Sequence, residues 1–160
     1  MDEKFQFKKK FGQNFLKNEK VLTRIVDVAD IKDESLTIEV GPGSGALTKY
    51  LKEKGQVLCY EIDKTLEDIL MRSFGEEKNV SIYFGDFLKQ DIKEDLKDFT
   101  YKHLYFVSNV PYYITTPILF KLINADLYFD KIVMMVQKEV GERFTSIVGK
   151  KEYGALTVLL

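Results

Sequence analysis

Apolar residues in this chain fall into two alternating kinds of run. Leu36 to Val40, Gln56 to Glu61, Val80 to Phe84, Leu104 to Val107 and Lys131 to Val136 are short and near-continuous, which predicts strands buried on both faces. Between them the spacing turns helical. Val21, Leu22, Ile25, Val26 and Val28 mark one side of a helix from about Glu19 to Ala29, with Asn18 as its N-cap. Ala46, Leu47, Tyr50 and Leu51 give a short helix stopped by Gly55, and Asp63 stands as the cap of a helix carrying Leu66, Ile69 and Leu70. Thr116-Pro117 has the form of an N-cap followed by proline at the first helical position. Strands separated by helices imply an α/β domain, a mostly parallel sheet with helices on both faces. There is no internal repeat, low-complexity tract or linker, so residues 1–160 read as one domain.

All three prolines, Pro42, Pro111 and Pro117, fall in two loops that follow strands at their C-terminal ends, where ligands bind in open α/β sheets. In the first loop, Glu39-Val40-Gly41-Pro42-Gly43-Ser44-Gly45, the glycines let backbone approach a ligand closely and leave helix N-terminal N–H groups free. A bare strand-to-helix turn would look the same. Glu61 ends the next strand twenty residues after Gly41, where an acidic side chain accepts ribose hydroxyls in this architecture. Asp86, after Gly85, ends the third strand and can accept from an adenine amine, or serve as a simple turn residue. The spacing G-x-G-x-G departs from the dinucleotide fingerprint G-x-G-x-x-G. A nucleoside cofactor without pyrophosphate, S-adenosylmethionine, therefore fits better than NAD.

The second loop, Asn109-Val110-Pro111-Tyr112, puts an amide side chain, backbone carbonyls and an aromatic face within four residues. Such a set can hold a planar exocyclic amine like adenine N6, with the amide oxygen and the Val110 or Pro111 carbonyl accepting its hydrogens and Tyr112 stacking on the ring. A proline turn after a buried strand is the plainer reading. Tyr112 and Tyr113 can both be core aromatics, with Tyr112 better placed for stacking. His103 reads as a surface residue before the strand.

Composition narrows the partners. One cysteine, Cys59, makes no internal disulfide, and with one histidine it makes no credible zinc site, so no metal is expected. No apolar run reaches the ~20 residues of a membrane span, and the charged N-terminus lacks a signal-peptide core, so a cytoplasmic protein is expected. The net charge of −1 hides an asymmetry, since residues 1–24 carry a local balance of +4. This basic arm, about residues 1–17, is interleaved with Phe5, Phe7, Phe11 and Phe15 and suits either a phosphate backbone with stacked bases or a frayed, solvated terminus.

Taken together, Phe11-Gly12-Gln13-Asn14-Phe15-Leu16, Glu39 to Thr48, Glu61, Gly85-Asp86, Asn109 to Pro117, Val136 to Val140 with Arg143, and Tyr153 to Thr157 resemble the ribosomal RNA adenine N6,N6-dimethyltransferases. The resemblance covers essentially the whole chain. It implies a Rossmann-like class I S-adenosylmethionine-dependent methyltransferase that dimethylates adjacent adenines near the 3′ end of small-subunit ribosomal RNA. It also implies cofactor contacts at Asn14, Leu16, Gly41, Gly43, Glu61, Ile62, Asp86, Phe87 and Asn109. Asn109, Pro111 and Tyr112 would face the target base. The erythromycin-resistance methyltransferases of the large subunit share much of the pattern. The Thr116-Pro117 pair and the Gln137-Lys138-Glu139-Val140 run look more like the small-subunit group. A non-catalytic RNA-binding assembly factor on the same fold, and a nicotinamide oxidoreductase, are the rival classes. Relatives continue past Tyr153-Gly154, so the chain is expected to be a fragment with five strands and the last strands missing, and the full-length protein to be a monomer.

Overall fold

The computed structural model describes residues 18–136 and 156–159, with nothing to be said of the side chains of Tyr112 and residues 156–159. Asn14, Leu16, the basic arm, the Gln137 run, Arg143 and Tyr153-Gly154 lie outside the described residues. The five apolar runs form strands β1 (Ser35–Val40), β2 (Gln56–Glu61), β3 (Val80–Phe84), β4 (His103–Asn109) and β5 (Lys131–Met135). A sixth strand, β6 (Leu156–Leu159), inside an apolar run, adds to the five expected. All neighbours pair parallel, in the order β3-β2-β1-β4-β5-β6.

Every residue of β1 is buried, which explains the lack of alternation in its sequence. Alternate side chains still separate by face. Leu36, Ile38 and Val40 pack with Tyr60, Phe87, Phe106 and Ile118 on one side. Val57, Cys59, Tyr105 and Val107 pack on the other, against helix α1 (Glu19–Ala29) and against Leu47 and Leu51. Helix α2 (Thr48–Leu51) belongs to this second layer. Helix α5 (Thr115–Ile123) belongs to the first, together with α4 (Ile92–Asp95), a short helix capped by Asp91 that periodicity alone does not reveal.

Local signals set most boundaries. The Asn18 side chain accepts from the Lys20 N–H at 3.1 Å, and α1 ends at Asp30 in a left-handed conformation. Asp63 caps a 3-10 turn, Lys64–Leu66, that leads into α3 (Glu67–Phe74). The start of α5 differs from expectation. Its cap is Ile114, and Thr116-Pro117 sits within the first turn because the 3-10 turn Tyr112–Ile114 runs straight into the helix. Proline is tolerated there, since N–H groups of the first turn have no intrahelical partner. His103 is the first residue of β4, half-buried, with Nδ1 2.9 Å from Asp130 Oδ1.

The chain reverses its direction across the sheet between β1 and β4. At this point the fully buried Ser108 hydroxyl donates to the Val40 carbonyl at 2.6 Å and accepts from the Val40 N–H at 3.2 Å. The strands end side by side, joined by a side chain in place of a further backbone rung. Beyond Val40 the chain must turn tightly, and Gly41, Gly43 and Gly45 all have positive φ. At Gly45 (φ +86°) an added Cβ would also fall on the ring of Phe74 from α3. Gly45→Ala should therefore lower stability by about 2–4 kcal/mol, combining left-handed backbone strain with overpacking. Urea unfolding of the two chains checks this, and equal midpoints would contradict it.

Candidate functional site

The carboxyl ends of β1 to β4 converge on one cleft of about 220 Å³, far above the roughly 15 Å³ that a single water needs. Gly41, Pro42, Gly43 and Ser44 form one rim, while Asn109, Pro111 and Tyr113 form another. The floor includes Glu39 and Tyr60, and Glu61, Ile62, Asp86 and Phe87 line the side at β2 and β3. The rims abut, since a Cβ on Gly41 would lie 3.8 Å from Pro111 Cδ. The Gly41 N–H is anchored to the Tyr60 carbonyl at 2.8 Å, which pins the start of the glycine loop to β2.

Glu61 is buried at the end of β2 and organises two loops. One carboxylate oxygen accepts from the Gly43 N–H at 3.1 Å and the other from the Asp63 N–H at 2.9 Å. Burial raises its pKa above the ordinary carboxylate value, and the backbone N–H groups of Asp63 and Gly43 oppose the rise. A carboxylate offers about four acceptor positions, so these backbone bonds leave room for a ligand hydroxyl. Asp86 accepts from the Leu88 N–H at 3.0 Å and so caps the 3-10 turn Phe87–Lys89. The turn role anticipated for Asp86 is thus present, and it leaves carboxylate lone pairs open to the cleft it lines.

Glu39 is the deepest charged group. It is 2 % exposed, accepts from the Thr48 hydroxyl at 2.6 Å, and lies 3.6 Å from the Cys59 thiol. Burial pushes its pKa up to about 7, against the lowering effect of the Thr48 and Cys59 bonds, with Glu61 adding to the rise. The same burial raises Cys59 well above its usual value, so this thiol is an inert core group.

The structure therefore brings together Gly41, Gly43, Glu61, Ile62, Asp86, Phe87, Asn109 and Pro111. The backbone of Tyr112 opens a 3-10 turn beside them. Tyr113 is no core aromatic: it is 44 % exposed and lines the cleft. Leu22 of α1 and Ile118 of α5 also line it, and no local signal distinguishes them from ordinary core positions. Among the described residues there is no group of three or more His, Cys, Asp or Glu that could hold a metal ion, and no helix is long and apolar enough to cross a membrane.

The sequence profile described as ribosomal RNA adenine dimethylase matches residues 4–160. The ribosomal RNA small subunit methyltransferase A of Streptococcus pneumoniae is 44% identical over 157 residues, covering 96% of this chain and 54% of that protein. The chain thus spans about half the length of the curated relatives it matches. Among solved structures, a dimethyladenosine transferase from Plasmodium falciparum superposes with TM-score 0.67 and 32% identity, covering 88% of this chain and 49% of that one. The 23S rRNA methyltransferase ErmE superposes with TM-score 0.69 and 29% identity, covering 86% and 53% respectively. The fold is the Rossmann-like methyltransferase fold that the family resemblance implied.

The buried carboxyl of Glu39 has a consequence for stability. Its pKa in the folded chain, about 7, lies above the 4.5 of a free side chain. The folded state therefore holds a proton that the unfolded state has released, so this contribution is fully present below about pH 4.5 and is lost as pH rises to about 7. Glu39→Gln stays neutral and should remove about 1–3 kcal/mol of that decline. Urea unfolding across the range reads the slope, and an unchanged slope would mean that Glu39 is ionised throughout in the folded chain.

Proposed function

Because this chain belongs to the ribosomal RNA adenine dimethylase family, we propose that its cleft serves an S-adenosylmethionine-dependent enzyme that dimethylates adenine N6 in small-subunit ribosomal RNA. The observation that carries the cofactor reading is the charge of the cleft. Three acidic side chains line it, Glu61, Asp86 and the partly protonated Glu39, and no Lys or Arg does among the described residues. That lining suits a cationic ligand with ribose hydroxyls and without pyrophosphate. Glu61 would hold the ribose, Asp86 the adenine amine, and the positive-φ backbone at Gly41 and Gly43 the close approach of the remainder. Asn14 and Leu16, outside the described residues, complete the proposed contacts on the strength of the family resemblance.

When bound, S-adenosylmethionine supplies a methyl group already activated on a sulfonium. What this chain must then do is orient a poor nucleophile. The N6 lone pair of adenine is delocalised into the ring, and accepting both amine hydrogens favours a pyramidal nitrogen. The Asn109 amide oxygen is one proposed acceptor. The Pro111 carbonyl already accepts from the Ile114 N–H and the Thr115 hydroxyl, each at 3.2 Å, so we assign the second acceptor to the Val110 carbonyl. Pro111 then acts by shaping the turn, and Tyr112 by stacking on the extruded base. Positioning and electrostatics can supply most of the rate enhancement without a strong base. His103 is at the far end of β4, six residues or about 20 Å from Asn109, and has no part in this chemistry. The small-subunit target is favoured over the 23S target of ErmE because 44% identity to the small-subunit relative exceeds 29% to ErmE.

Two outcomes test the assignment. Glu61→Ala should weaken calorimetric binding of S-adenosylmethionine by ~10-fold or more, since ribose hydroxyls lose their acceptor and the Gly43 and Asp63 N–H groups lose theirs. Unchanged affinity would remove Glu61 from the site. Asn109→Ala should abolish tritium transfer to under-methylated small subunits while RNA binding is largely retained. Turnover within a few-fold of the unsubstituted protein would show that another group orients N6.

A further inference from the structure

Helix α5 leaves the Asn109–Tyr112 turn and passes beside the loop that follows β3. Its single charged residue, Lys121, reaches across to that loop. The ammonium donates to the Leu88 carbonyl at 3.2 Å and to the Gln90 carbonyl at 2.5 Å, and it lies 5.5 Å from the centre of the Phe87 ring. The Phe87–Lys89 turn is too short to bond these carbonyls itself; its own backbone bonds run to the Asp86 and Phe87 carbonyls. Lys121 is thus an external donor for a segment whose residues Asp86, Phe87 and Leu88 all line the cleft.

We propose that Lys121 is a positioning residue, which clamps the Asp86–Leu88 segment in the orientation that receives the nucleoside end of the cofactor. This rests on the S-adenosylmethionine reading given above. The fold of the loop does not depend on the clamp, because Phe87 and Ile92 are buried in the main core. What the clamp controls is finer. Asp86 accepts a backbone N–H from the same turn that Lys121 holds, so a shift of the turn moves the carboxylate that would meet the adenine amine. The clamp also joins the cofactor side of the cleft to α5, whose first residue, Thr115, donates to the carbonyl of Pro111 in the base-side turn. Charge-assisted bonds of this kind are about twice as strong as neutral ones, which suits a contact that fixes orientation more than it buries area.

The test is equilibrium binding of S-adenosylhomocysteine and of adenosine to the unsubstituted chain and to Lys121→Met, Lys121→Gln and Lys121→Arg. Lys121→Met keeps the aliphatic stem and should weaken both ligands by about tenfold, by the same factor, because the effect lies at the nucleoside end. Lys121→Gln can donate to one carbonyl and should lose about threefold, which decides the matter if the Met variant does not fold. Lys121→Arg should recover affinity to within about twofold, since a guanidinium can serve two carbonyls. Binding within twofold in a folded Met or Gln variant would overturn the clamp. So would a loss for S-adenosylhomocysteine that adenosine does not share, or a loss that Arg does not restore. Failure of the unsubstituted chain to bind S-adenosylhomocysteine would instead overturn the cofactor reading, and this inference with it.

Discussion

The cleft depends on one constraint, the divergence of the chain on either side of the β1–β4 pair. The chain after β1 turns to α2 on one face of the sheet, and the chain after β4 turns to α5 on the other. Among the described residues, the two loops leave in opposite directions and a crevice opens between them at the strand ends. The Ser108 hydroxyl keeps this arrangement closed at its base. It satisfies both backbone groups of Val40, which would otherwise be buried without partners where the glycine loop departs. Asn109 is the next residue, so the same strand end that seals the sheet also presents the amide to the cleft.

The electrostatics of the crevice follow from what that architecture buries. Glu39 and Glu61 sit near the ends of adjacent strands, buried and with no Lys or Arg among the described residues that line the cleft, and burial raises both. The protein tolerates this through local acceptor bonds, from the Thr48 hydroxyl to Glu39 and from two backbone N–H groups to Glu61. With no Lys or Arg among its described lining residues, such a pocket is poorly matched to a phosphate. The glycine loop adds backbone N–H groups without adding charge. Functional assignment therefore rests on the site more than on the fold, which many unrelated enzymes share.

Much of this was legible along the chain. Period and punctuation located β1 to β5, α1 and the glycine loop, because buried parallel strands need continuous apolar residues and tight turns need glycine or proline. The spacing from Gly41 to Glu61 and on to Asp86 measures out one strand–helix–strand unit after another, so acidic residues at strand ends could be recognised as neighbours in space. Less was legible where an element is short or depends on a partner. Helix α4 has only four residues, and β6 is a strand because β5 offers it an edge. The Thr116-Pro117 signal points to a start two residues later than the observed cap at Ile114, since a preceding 3-10 turn runs into the helix.

What the sequence determined by itself was the inventory: which side chains end strands, which loops bend sharply, and which residue types could accept the hydrogens of an amine. These are local properties, set by backbone sterics and by the period of the apolar positions. The tertiary structure decided which of those groups share a volume and what their surroundings do to them. Glu39 reads in sequence as one more residue before a glycine loop, yet it is the most deeply buried acid of the site because Thr48 and Cys59 close over it. Lys121 carries no signal in the sequence, yet it holds a loop some thirty residues earlier in the chain. Tyr113 reads as core and is exposed at the cleft. Burial and long-range contacts come from how layers pack, and no residue's own identity carries that information.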